Sequence, residues 1–169
     1  MAAVASRVLA SYAGIDEGVA FTAALLHDMG KTVLSKKLSD KYDQVITELE
    51  EHNKPWDAVE RDIVGADHAE VGAAILKKWE FPETIYAPVK YHHCPSEANG
   101  STPMASTVHI GNIVAYQLGH GFGLDAFAMK GDPNAFNNIG VSREKLPELL
   151  IDTQDELTKV EPMLKTKFR

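Results

Sequence analysis

Leu25-Leu26-His27-Asp28-Met29-Gly30-Lys31 brings an imidazole, a carboxylate and an ammonium into seven residues. Such a trio can ligate a cation through nitrogen and oxygen, or meet an anion through the lysine. Two further groups carry the same chemistry: His68 in Asp67-His68-Ala69-Glu70, and the adjacent pair His92-His93 directly before Cys94-Pro95. Imidazoles with one carboxylate form a mixed nitrogen and oxygen set suited to iron, manganese, nickel or zinc rather than to calcium or magnesium. The same residues also admit a structural role, in which buried histidines are hydrogen-bonded to neighbouring carboxylates.

The elements that must position these groups read as helices. Val19 to Leu26 is an apolar run of helical length, and Gly30 is expected just past its end in a left-handed conformation. His27 and Asp28 then fall in the last turn, where the negative end of the dipole asks for a cation, either a metal or Lys31. Asp67 followed by Glu70 resembles a capping box, which starts a helix to about Trp79 with His68 at its first position. Phe81-Pro82 separates it from the helix that delivers His92-His93, with a kink expected at Pro88. Adjacent helical residues point about 100° apart, so both imidazoles can face one centre only because Pro95 ends the helix there. Cys94 reads as a small buried residue.

Around these lie supporting segments. Residues 1–13 form a helix with Val4, Val8, Leu9 and Tyr12 on one face, and its uncapped start gives the expectation that the sequence is the tail end of a longer protein. After a turn at residues 14–18 and the first apolar helix, Leu38 to His52 is amphipathic through Tyr42, Val45, Ile46 and Leu49. Its Glu48 to His52 run is a solvated face, with His52 beside Asn53 a helix-end residue. Trp56 to Val64 is a short helix with Trp56, Val59 and Ile63 inward. Thr102-Pro103 caps a strong helix to Leu118 that carries His109 and Asn112 one turn apart on one face. Gly119, Gly121, Gly123, Gly131 and Gly140 then mark loops, and Ser142 caps a closing helical section to about Leu164, broken or bent near Pro147 and Pro162. With no strand alternation, no repeat and no phosphate-cradling glycine loop, the fold class is all-α.

The 169 residues read as one domain, 1–169, with 44% hydrophobic and 24% charged residues, the balance of a globular protein. A net charge of -7 and a sequence pI near 5.4 disfavour nucleic acid as a partner. No apolar run reaches the roughly 20 residues of a membrane span. One cysteine and no leader pattern make the cytoplasm the expected compartment.

Four ordered blocks carry a resemblance: the His27-Asp28 stretch, Asp67-His68-Ala69-Glu70-Val71-Gly72, His92-His93-Cys94-Pro95 and Val108-His109-Ile110-Gly111-Asn112. They resemble the HD superfamily of metal-dependent phosphohydrolases. In order and spacing, and at Trp79-Glu80-Phe81-Pro82, they are most similar to the HDOD branch, the HD-related output domain of bacterial signalling proteins. The resemblance implies an HD-like helical bundle, here without the additional N-terminal helical half of HDOD modules. It also implies a dinuclear site. Asp28 would bridge the ions, His27, His68, His92 and His93 would ligate them, and Lys31 would meet a substrate phosphate in two-metal hydrolysis.

Two departures bear on activity. The final aspartate of the family falls at Asn112, which offers only an amide oxygen, and residues 1–26 contain no histidine to match the one upstream of the HD pair in active enzymes. Both losses touch the same ion, leaving a second ion for Asp28, His68, His92 and His93. The GYP signature of the similar HD-GYP phosphodiesterases is absent after the paired histidines, which removes the particular reason to expect cyclic di-GMP cleavage. The expected function is therefore a regulatory signalling domain with a protein partner, a partly degenerate metal site and little or no catalysis. A nucleotide or phosphoester is a further candidate ligand, and the alternative function is a divalent-metal phosphohydrolase acting on a phosphomonoester or phosphodiester.

Overall fold

The computed structural model describes residues 1–52, 54–120 and 131–166, with side chains as far as residue 160. Among the described residues the chain is all-α. The helices are α1 (Ala2–Ala13), α2 (Glu17–Leu26), α3 (Met29–Lys37), α4 (Ser39–His52), α5 (Trp56–Val64), α6 (His68–Lys78), α7 (Glu83–Tyr91), α8 (Thr102–Gln117), α9 (Ala135–Asn138) and α10 (Leu146–Thr166), with short 3-10 turns at Pro95–Glu97 and Arg143–Lys145. Asn53, Gly121 and Gly123, read above as loop residues, lie outside the described residues.

Local chemistry explains most of the boundaries. Asp16 starts α2 by accepting a hydrogen bond from the Val19 amide at 2.9 Å. Asp67 and Glu70 form the expected reciprocal capping box, so α6 begins at His68. Ser142 accepts from the Glu144 amide, as a cap should, although it opens a 3-10 turn and α10 follows. At α8 the N-cap position is Ser101, one residue earlier than expected, and Thr102 already lies inside the helix. The break expected at Pro147 is absent because that proline stands in the first turn of α10, where its missing N–H has no intrahelical partner to lose. The helix runs on to Thr166, past Pro162.

Helix α1 packs on α2, α8 and α10, and α6 packs on α3 and α7. The α1–α8 crossing is close: a β-carbon on Gly111 would lie 2.0 Å from Ser6 Oγ and 2.9 Å from Ser6 N. Leu9, Ile110, Val114 and Leu149 fill one part of the core, and Ala23, Ala24, Leu76, Val89 and Val108 fill a second. A third lies beneath the α4–α5 pair and contains Leu34, Tyr42, Val45, Leu49 and Val59. Each fully buried leucine or valine contributes roughly 1.5–3 kcal/mol, enough to fix three helix ends against one another without a disulfide.

Candidate metal centre

Three chain breaks converge at one place. His27 is the last residue in line with α2, Asp28 sits in the turn before α3, His68 is the first residue of α6, and His92-His93 ends α7. Gly30 makes this convergence possible, but not as a helix terminator. It lies inside the first turn of α3 and has no positive φ, contrary to the expectation above. A β-carbon on it would fall 2.0 Å from the His68 carbonyl oxygen, so the glycine is required for α3 to approach the start of α6. The approach brings Asp28 within reach of His68.

Hydrogen bonds fix the imidazoles in one sense. His27 donates from Nδ1 to the Ala24 carbonyl at 2.7 Å, and His92 donates from Nδ1 to the Val89 carbonyl at 2.7 Å. His68 Nδ1 lies 2.5 Å from Glu60 Oε2. A carbonyl accepts only, so Nδ1 of His27 and of His92 carries the proton and the Nε2 lone pair faces inward. Metal-ligating histidines are held in this way. The inward atoms cluster: His68 Nε2 is 2.9 Å from His93 Nε2 and 3.2 Å from Asp28 Oδ1, and His27 Nε2 is 3.4 Å from Asp28 Oδ2. Two sets could each hold an ion, His68 with His92 and His93, and His27 with Asp28 and His92.

His27 Nε2 and His92 Nε2 are buried without a hydrogen-bond partner among the described residues, and the buried Asp28 Oδ1 faces imidazole nitrogens, His68 Nε2 at 3.2 Å and His92 Nε2 at 3.9 Å. An orphaned buried polar atom costs about 1–3 kcal/mol, so two imidazole nitrogens left open on one centre are a costly arrangement unless a cation completes it. A divalent transition metal fits this donor set of neutral imidazoles and one carboxylate.

The electrostatics agree. Burial disfavours a charged Asp28, but His27, His68 and Lys31 outweigh it and hold the carboxyl well below its usual range. Its side chain is 35% exposed, while Oδ1 itself is shut off from water. Burial would likewise lower His68, yet hydrogen bonds to Asp28 and Glu60 raise it to about 9. His92 and His93 fall well below 6.5, through burial first and then through the neighbouring histidines. His68 is thus the imidazole at which two carboxylates, Asp28 and Glu60, favour an added proton.

Lys31 Nζ lies 3.1 Å from Asp28 Oδ2 and 4.6 Å from the centre of the Trp56 ring. A groove of about 450 Å³, lined by His27, Asp28, Lys31, Trp56 and Asn112, opens beside the centre. Asn112 is buried and lines the same groove as His27. His109, one turn earlier, is not part of the cluster: its Nδ1 donates to the His92 carbonyl at 2.7 Å and its Nε2 accepts from the Asp132 amide at 2.9 Å. Exposed His52 pairs with Glu48 at 3.4 Å. Cys94 is half-buried, with its thiol pushed up to about 11 by burial and Glu97. Sequence reasoning missed Glu60, which is fully buried on α5 and carries four hydrogen bonds. The available signal was its position four residues after Trp56, on the same helix face.

Comparison with known proteins places this geometry. The model of the HDOD domain matches residues 1–95, which contain every candidate ligand named above. The chain belongs to the HDOD family. The fold is shared with the solved structure of a protein from Marinobacter aquaeolei VT8 that is provisionally named for signal transduction. That structure superposes with a TM-score of 0.74 at 18% identity, covering 96% of this chain and 38% of its own, so the shared fold extends beyond the HDOD match. An uncharacterized protein of Treponema pallidum (strain Nichols) is 27% identical over 94 residues, 55% of this chain and 18% of its own length. The chain therefore spans well under half of either relative. No helix among the described residues is long and apolar enough to cross a membrane.

Proposed function

We propose that this HDOD chain is a regulatory signalling module that binds a divalent transition metal and has little or no hydrolytic turnover. The observation that carries the reading is the convergence of His68, His92, His93 and Asp28, with His68 Nε2 2.9 Å from His93 Nε2 and 3.2 Å from Asp28 Oδ1 and with the buried His92 Nε2 left without a hydrogen-bond partner beside them. His68, His92 and His93 with Asp28 would hold the ion, which would supply Lewis acidity and charge neutralisation there. The rest is the work of the chain itself. Asp28 offsets the positive charge, the carbonyls of Ala24 and Val89 orient two of the rings, and the packed ends of α2, α6 and α7 exclude water. The uncharged Asn112 weakens the His27 side, which is the reason to expect retention of metal without turnover. The name of the Marinobacter aquaeolei protein supports a signalling role and hence a protein partner.

A second reading, phosphoester hydrolysis, is favoured by Lys31 beside Asp28 at the mouth of the groove, where it could meet a phosphate. Metal content of untagged protein, wild type and Asp28→Asn, measured together with hydrolysis of bis(p-nitrophenyl) phosphate, separates the two. Metal that is present in the wild type, lost in the variant and accompanied by no turnover is the expected result. Turnover that is lost with the metal would establish the second reading. Equal metal in both proteins would overturn both.

A further inference from the structure

We propose that Glu60 is the positioning carboxylate of this centre, fixing His68 through Nδ1 while joining that imidazole to Tyr42 and Trp56. The proposal rests on the metal reading above. Glu60 has no exposed surface, and a buried carboxylate is retained at a cost unless its oxygens are satisfied. Here both are. Oε1 accepts from the Tyr42 hydroxyl and from Trp56 Nε1, each at 3.0 Å. Oε2 accepts from the His68 amide at 2.7 Å and from His68 Nδ1 at 2.5 Å.

This pattern does more than neutralise a charge. The His68 amide is one of the N–H groups that a helix start leaves without an intrahelical partner, and the Asp67 box satisfies a different one. Glu60 therefore holds His68 by backbone and by ring together, removing both the freedom of the residue and the rotation of its imidazole. A carboxylate on Nδ1 also strengthens the lone pair on Nε2, the atom that faces His93 and Asp28. The other end of the network reaches the same centre. The Trp56 ring carries Lys31 over its face at 4.6 Å, and Lys31 pairs with Asp28. Trp56 thus touches the centre along two paths, and its emission should respond to loading.

The test uses the full chain with Trp79, which is exposed, changed to phenylalanine so that Trp56 is the sole tryptophan. Cobalt(II) is titrated into this parent and into Glu60→Gln, following visible absorption and Trp56 fluorescence, with circular dichroism and melting to monitor the fold. In the parent, cobalt should develop its ligand-field bands and shift the Trp56 emission. In Glu60→Gln the helices remain, but affinity falls by about 10- to 100-fold and the emission change is lost. A variant that melts earlier but binds cobalt as the parent does overturns the proposal and leaves Glu60 a packing residue. A parent that binds no cobalt overturns the metal reading, and the role of Glu60 with it. If Glu60→Gln fails to fold, proton NMR of the parent decides: a downfield His68 Nδ1 proton that persists on loading with zinc supports the proposal, and its loss on loading overturns it.

Discussion

His92 and His109 are both buried histidines whose Nδ1 atoms donate to a main-chain carbonyl at 2.7 Å, yet they have opposite chemistry. The second nitrogen of His109 receives the Asp132 amide, and Asp132 is fastened in turn by the Ser96 hydroxyl at 2.6 Å. The second nitrogen of His92 receives nothing and faces His27, His68 and His93. Residue type and burial therefore do not distinguish a candidate ligand from a strut. What distinguishes them is whether the chain spends both nitrogens on itself. His109 supports the carbonyl of His92, so the strut also steadies the ligand.

The largest effect should come from exchanging each residue for glutamine. His92→Gln should lower metal affinity by at least about 100-fold, because His92 belongs to both possible ligand sets. His109→Gln should retain metal within about tenfold and lose about 1–3 kcal/mol of stability by leaving a buried amide poorly paired. Equilibrium dialysis and urea unfolding give the two numbers. If the two variants lose metal equally, the distinction between ligand and strut fails.

Acid and base should divide the two regions as well. In the metal-free protein His68 is raised from 6.5 to about 9, so its contribution to stability is complete below about 6.5 and is lost as pH rises to 9. His109 is lowered by burial, so its neutral form is the native one, and its region loses stability as pH falls from 6.5 through its folded value. His92 and His93 add to that acid loss. Loading must displace the His68 Nε2 proton, so affinity should increase with pH up to about 9 and level off beyond it. Metal titrations between pH 6 and 10 would detect this rise, and a flat profile would mean that His68 is not a ligand.

The sequence made the helices legible because their signals are local. Asp67 and Glu70 are three residues apart, and the bounds expected for α5 are the ones observed, Trp56–Val64. The histidines that the structure clusters were legible for the same reason, since each stands at a helix end marked by a proline, a glycine or a cap. Gly30 was placed at the right site for the wrong cause, because its neighbour is His68, far along the chain, and no local pattern reports that approach. Glu60 looked like one of several charges on an amphipathic helix. Its burial depends on Tyr42 and His68, which lie 18 and 8 residues away. The role of His109 was hidden in the same way, because its partner Asp132 comes from a loop.

Asn112 tests the weaker side of the centre. Asn112→Asp would add a carboxylate to the groove that His27 and Asp28 also line, raising cation affinity on that side by about tenfold while crowding like charge in the metal-free state. The variant should therefore melt earlier without metal and later with it. A variant that gains affinity and also hydrolyses a phosphodiester would show that a single amide separates this module from a hydrolase. Unchanged affinity would mean that position 112 lies outside reach of the ion.

Lys31 should have the smallest effect, and its sign is informative. Its ammonium is 3.1 Å from Asp28 Oδ2 and half-buried, so in the metal-free chain it competes with an incoming cation for the same carboxylate. Lys31→Met removes the competitor but keeps the stem that lies over Trp56. Affinity for metal should rise by about two- to fivefold, since a partly exposed ion pair contributes about 1 kcal/mol or less. Affinity for inorganic phosphate in the loaded protein should fall, because the anion loses its cationic partner. If Lys31→Met instead weakens metal binding, Lys31 is acting as the clamp that orients Asp28 toward the imidazoles.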